Sequence, residues 1–364
     1  MNLPIYKIAT FSFLTAALIS CGETGNKNTT VPTAEQPAVL QPVIVTDTVP
    51  NDSDDPAVWI NYANPAESLV LGTDKDSSGG LFVFDLKGKL DTVRSVRGLQ
   101  RPNNVDVEYG LILNGKPVDI AVTSERFTHK LRIYRLPDMK PVDNGGIAVF
   151  EGETQPEFRD LMGISLYKDP AGNIYAIAGR KTGPTDNTYL WQYLLKDDGK
   201  GNVKAALVRK FGKYSGKKEI EAIAVDDKAG YIYYSDEQVG VRKYYADPSK
   251  GNEELALFAD TGFAGDHEGI SIYATSDTTG FIIVSDQQAD QFKIFPREGA
   301  PGAPHQHNVL RTVKVAAHES DGSESVSIPL GPAFPRGIFV AMSDNRTFHY
   351  YKPEQILGDS LLKK

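Results

Sequence analysis

This sequence has one cysteine in 364 residues, Cys21, so a chain starting at or before it can form no internal disulfide. In an extracellular setting its stability must then come from burial, with metal as a further candidate. Without a second cysteine there is no thiol nucleophile downstream of residue 21. No Arg-His-Gly triplet and no Gly-x-Ser-x-Gly elbow occurs either, which removes the histidine-phosphatase and serine-hydrolase routes. No long basic run is present and the net charge is −8, which argues against nucleic acid as a partner. Lys217 and Lys218 read as an ordinary surface pair, as do Lys363 and Lys364. Long amphipathic helices are missing too, and the one helix expected lies at 353–362. No apolar run is long enough to span a membrane.

The longest apolar run, 8–19, follows Lys7 and ends at Leu-Ile-Ser-Cys21, which reads as a signal peptide over 1–20. That ending resembles a bacterial lipobox, with Cys21 lipidated as the mature first residue. The implied location is the bacterial cell envelope, lipid-anchored or secreted, with the membrane as partner. Residues 21–42 are rich in Thr, Pro, Asn and Gln and read as a flexible tether. Residues 43–364 read as one domain.

Within that domain a two-part pattern recurs six times. Asp55, Asp106, Asp160, Glu221, Glu268 and Glu324 each lead into a short alternating apolar strand. A second apolar strand follows and ends in a polar hinge, at 73–76, 124–126, 179–181, 235–237, 285–287 and 343–345. The acids recur about every 45–60 residues, which suits four-stranded propeller blades. If the two strands pair as a meander, the start of the first lies beside the end of the second. The expected fold is all-β: a six-bladed propeller with acids gathered at one end of its channel. Carboxylates so close repel unless cations neutralise them, and hard oxygen donors favour Ca²⁺ or Mg²⁺ over zinc.

The densest acidic segment, 51–59, is a turn or a metal site. Residues 74–85 match an EF-hand loop in part, but strands flank them, so the EF-hand is rejected. The amides before Asp106 read as a turn or as support for a metal. Asp266 and Glu268 lie two apart and point to one side of an extended strand; His267 points away and packs. His305 and His307 read as an exposed loop. Lys75, Arg126, Arg180 and Lys181 interleave with the acids. They either offset them or clamp a phosphorylated substrate. With no nucleophile in view, metal-activated water is the default for a hydrolase.

Together these segments resemble the β-propeller phytases. The matching motifs are Asp-Asp-Pro-Ala-Val-Trp at 54–59, Asn-Asn-Val-Asp at 103–106 and Asn-Gly-Lys-Pro-Val-Asp-Ile-Ala at 114–121. They continue with Gly-Ile-Ser-Leu-Tyr at 163–167, Glu-Gly-Ile-Ser-Ile-Tyr at 268–273, and the run from Leu330 to Ala341. The resemblance implies calcium-dependent removal of phosphate from phytate, myo-inositol hexakisphosphate, by a monomer binding several Ca²⁺ ions. It implies metal and water-site roles for Asp54, Asp55, Glu221, Glu237, Asp266, Glu268, Gln287, Asp321 and Glu324, to which the motif at 103–106 adds Asp106. It implies phosphate contacts at Lys75, Arg126 and Arg180, with Lys75, Arg126, Glu221 and Glu268 at the reacting centre. Two positions depart from the family pattern: Asp76, where a second Lys is common, and Met162, where Tyr is. The alternatives are a calcium-dependent propeller lactonase or esterase, and a non-catalytic binding propeller.

Overall fold

The computed structural model describes residues 38–363. The signal peptide, Cys21 and most of the expected tether lie outside the described residues. At the tether's end, Leu40 already bridges to Val315, and its N–H donates to the Lys314 carbonyl at 2.9 Å. No described helix is long and apolar enough to cross a membrane.

The strands form six antiparallel sheets in chain order. Blade one contains Ser53–Trp59, Leu69–Asp74, Gly79–Asp85 and Leu90–Leu99. Blade two begins with Pro102–Leu113, Lys116–Glu125 and Lys130–Arg135, and two short pieces complete its outer edge. Blades three, four and five start with Leu161–Lys168, Ile223–Asp226 and His267–Ala274. Blade six takes Ser323–Val326, Ile338–Ser343 and Thr347–Tyr351 from the C-terminal end and Ile44–Val45 from the N-terminal end. Ile44 pairs with Tyr350 and Val45 with His349, so the ring is closed by main-chain hydrogen bonds between its two ends. Closure leaves no blade free to separate without breaking a sheet.

Six apolar clusters hold the ring, one between each pair of neighbouring blades. Val58, Phe82 and Phe84 of blade one pack on Val340 and Tyr350 of blade six. Ile164 and Trp191 of blade three pack on Val122 and Ile133 of blade two. The second strands are apolar on both faces because each faces two neighbours; Ile174–Arg180 is buried throughout. The expected helix at 353–362 is present in two short pieces, Pro353–Leu357 and Asp359–Leu362, separated by Gly358 at φ 75°.

Two repeated devices position the site. In all six blades, the N–H of the residue after the second strand donates back to the loop entering the first strand. These bonds run from Lys75 to Asp52, Arg126 to Arg101, Lys181 to Asp160, Glu237 to Glu219, Gln287 to Asp266 and Asp344 to His318. The second device is a β-bulge. In four blades the register slips by one residue at the start of the first strand, between Ser53 and Pro56, Pro102 and Val105, Leu161 and Ile164, and His267 and Ile270. A bulge of this kind re-aims side chains. Asp54 and Asp55, adjacent on the bulged segment, serve different places: Asp54 meets Lys75 and Asp55 meets the Val105 N–H.

Candidate active site

The residue that ends each second strand belongs to the scaffold. The Asp74 carboxylate accepts from the Asn51 and Asp52 N–H groups at 3.0 Å each. Glu125 accepts from the Gln100 N–H at 2.9 Å, Asp236 from Ser215 at 3.0 Å, and Asp286 from Ala264 at 2.9 Å. Each ties down the loop arriving from the previous blade.

Arg180 holds the same position in blade three, and this corrects its expected role as a phosphate contact. Its side chain is fully buried, with the guanidinium 4.2 Å from the Phe150 ring centre and 5.5 Å from that of Trp191. It donates to the carbonyls of Tyr189 and Phe158 and to the Glu153 carboxylate. The residue equivalent to Lys75 and Arg126 is Lys181, which is half exposed and 2.9 Å from Glu219.

The residues one step beyond the scaffold position meet the first-strand acids at the channel mouth. Lys75 Nζ lies 2.9 Å from Asp54 and 2.5 Å from Asp321. Gln287 Nε2 donates to the other Asp321 oxygen. Asn103 Nδ2 is 3.3 Å from Asp54 and 3.5 Å from Glu221, linking the two. Ligand atoms of Glu219, Glu221 and Glu237 lie within 4.8 Å of one another, as do those of Glu237, Asp266 and Glu268. Glu221 is held close to blade three by a glycine: a Cβ on Gly163 would collide with the Glu221 carbonyl oxygen. Arg126 is buried, its Nε donating to the Leu161 carbonyl at 3.2 Å and its guanidinium against the Met162 sulfur. Asp76 is turned away; its carboxylate closes its own turn with Ser77 and Ser78.

Lys218 also belongs here, correcting its reading as a surface lysine. Its Nζ lies 3.0 Å from Glu237 and 2.5 Å from Asp266. It comes from the loop between blades three and four, outside the repeated pattern. His267 packs as expected, stacked on Phe263 with Nε2 2.6 Å from the Ala259 carbonyl. His307 does not follow its expected exposure: it is buried against Phe258, with Nε2 3.2 Å from Lys243 Nζ.

Asp55, Asp106 and Glu324 form a separate tier deeper in the channel. They line a cavity of about 170 Å³ together with Ser165 and Ser271, and among the described residues no Lys or Arg reaches its wall. Asp55 accepts from the Val105 N–H at 3.0 Å. Asp106 accepts from the Ser165 hydroxyl and the Leu166 N–H at 2.7 Å each. Burial raises all three carboxyl pKa values, that of Glu324 to about 8.

At the mouth, burial and then neighbouring acids push the carboxyls of Glu221 and Glu268 well up. Burial takes Glu237 to about 8 and Asp321 to about 6, with Lys218 and Lys75 opposing. At Asp266 burial is outweighed by hydrogen bonds from Lys218, Gln238 and Gln288, and its pKa falls. The Glu268 Oε2 and Glu237 Oε1 atoms are buried without a hydrogen-bond partner. Unpartnered buried carboxylate oxygens are costly, and a divalent cation relieves both that cost and the mutual repulsion. An all-oxygen donor set fits a hard cation. The acidic groups at the mouth can therefore hold metal.

Fold and site define a six-bladed propeller with an acid-and-lysine mouth at one end of the channel. A family model described as Phytase matches residues 7–350. The chain belongs to the phytase family. A curated 3-phytase of Bacillus subtilis (strain 168) is 30% identical over 298 residues, 79% of this chain and 74% of the relative. Among solved structures, the Dos1 propeller overlaps 83% of this chain and 68% of its own at 10% identity and a TM-score of 0.42, too remote to add to the argument.

Proposed function

We propose that the protein is a calcium-dependent phytase of the 3-phytase type, hydrolysing phosphomonoesters of myo-inositol hexakisphosphate. The observation that carries this is the alternation of basic side chains with cation-fitting carboxylates around one mouth. Lys75 and Arg126 hold phosphate oxygens, and the Leu161 carbonyl fixes the plane in which Arg126 presents its guanidinium. Lys181 takes the phosphate-facing role on blade three. Glu221 and Glu268 would hold the cation and orient the attacking water, and Asn103, 3.5 Å from Glu221, keeps that carboxylate in register. Calcium, when bound, supplies charge neutralisation at phosphorus and acidifies a water. No covalent enzyme intermediate is expected. A lactonase would leave the ring of basic groups without a task.

The same reading makes the protein a monomer tethered to the bacterial envelope through a lipid on Cys21. Phosphate release from phytate, measured beside hydrolysis of a simple lactone, tests the activity. Phosphate release that Glu221→Ala removes in a folded protein supports it. Lactone hydrolysis without phosphate release would sink it.

A further inference from the structure

We propose that Lys218 is a substrate-positioning residue whose ammonium exchanges between the Glu237–Asp266 carboxylates and a substrate phosphate, so that cation loading and substrate binding are coupled. The proposal rests on the phytase reading above.

The backbone beneath Lys218 is fixed, while its side chain, paired with Glu237 and Asp266, is partly open to solvent. Ser215 anchors the loop by its N–H and hydroxyl to Asp236, at 3.0 and 2.7 Å. The Tyr214 hydroxyl donates to the carbonyl of Lys218 itself. From this fixed Cα the four-carbon stem reaches over the mouth, and the side chain is 38% exposed, against 18% for Lys75. Lys75 is wedged between two acids; Lys218 has an open solvent side.

The carboxylates Lys218 touches belong to a cation-fitting group. Glu237, Asp266 and Glu268 present oxygens within 4.8 Å of one another, and the unpartnered Oε2 of Glu268, which is 4% exposed, is a second sign of a ligand there. A divalent cation bound by these oxygens and an ammonium 2.5–3.0 Å from two of the same groups would be neighbours of like charge. They compete. A cation entering the cluster drives Lys218 outward, and outward is the side from which a polyanionic substrate arrives. The neighbouring Lys217 is not available for the task, because its Nζ turns to the Gln238 carbonyl.

The charge around the rim explains why such a residue is useful. On blade one Lys75 reaches the mouth acids, whereas Asp76 is folded into its own turn. Phosphates that Lys75, Arg126 and Lys181 do not hold need a further cation, and Lys218, on the loop between blades three and four, supplies one. Because it is freed by cation loading, phosphate binding there strengthens once the carboxylates are filled. This is positive coupling between two ligands.

The test uses Lys218→Met and Lys218→Arg in the intact protein. Calcium titration calorimetry, after EDTA treatment and dialysis, reads the competition without any turnover. Removing the competing ammonium should tighten at least one calcium site by about fivefold or more in Lys218→Met. A purely structural ion pair predicts calcium affinity that is unchanged or weaker. In the calcium-loaded enzyme, KM for phytate should rise by about tenfold in Lys218→Met while kcat falls less than about threefold, and Lys218→Arg should restore KM. Calcium affinity that fails to tighten, or an unmoved KM, overturns the proposal. If the wild type binds calcium but releases no phosphate, the phytase reading fails by itself. Calorimetry with calcium and then myo-inositol hexasulfate still decides on Lys218: tighter calcium with weaker hexasulfate binding in Lys218→Met supports it, and no change in either overturns it.

Discussion

The mouth and the channel interior are built from the same residue types and behave differently. At the mouth, Asp54 and Asp321 share Lys75, and Glu237 and Asp266 share Lys218. In the channel, among the described residues, Asp55, Asp106 and Glu324 accept hydrogen bonds from hydroxyls and main-chain N–H groups. Acidity alone therefore says little. What neutralises an acid separates the two tiers: at the mouth Lys75 and Lys218 stand beside the carboxylates, whereas in the channel burial raises the carboxyl pKa values with hydroxyls and main-chain N–H groups as hydrogen-bond donors.

The comparison breaks most sharply at Glu221. Glu221→Ala should cut phytate turnover by about 10³-fold, in the range seen when one electrostatic stabiliser is lost, while circular dichroism stays unchanged. Near-normal turnover would remove the mouth from the chemistry.

The next largest effect separates scaffold from mouth within one hinge. Arg180→Ala leaves Glu153 and buried carbonyls unpaired and a gap beside Phe150 and Trp191, so it should cost about 3–5 kcal/mol in urea unfolding. Lys181→Ala, one residue on, should leave the unfolding midpoint alone and raise KM for phytate by about fivefold. Equal stability losses in the two variants would contradict the assignment.

For the channel, the sign of the pH effect is informative. In EDTA, Glu324 has a folded pKa of about 8 against an ordinary value of 4.5. The folded state then binds the proton more tightly, so this group's contribution is most favourable below about pH 4.5. Stability is lost as pH rises through about 8, by roughly 5 kcal/mol at most. Glu324→Gln should flatten that part of the profile, read from urea midpoints at pH 5 and pH 8. An unchanged slope would show that Glu324 does not control it. The smallest effect belongs to the rim: Asp76→Lys should lower KM by about two- to fourfold, the scale of an exposed charge, and a raised KM would contradict it.

How much of this could be read from the chain follows the same division. The six acid-led strands and their hinges were legible because each repeats with the period of a blade, and the pairing of their ends follows from antiparallel geometry. Lys75 and Arg126 were legible at the hinge for that reason. The bulge between Ser53 and Pro56 was not, since nothing in Asp54-Asp55 says that the register slips between them. Arg180 was placed one residue off because the hinge of blade three carries two basic residues, and only the end of Ile174–Arg180 tells which is scaffold. Lys218 was missed because the inter-blade loop does not repeat. Closure by Ile44–Val45 was hidden in a two-residue strand at the far end of the chain.

The most direct test of the account is phosphate release from phytate through one calcium cycle: calcium-loaded, after EDTA, and after calcium is restored. The account predicts release, loss with a lower melting temperature, and recovery of both. Release that persists undiminished in EDTA, from protein shown to be calcium-free, would contradict it.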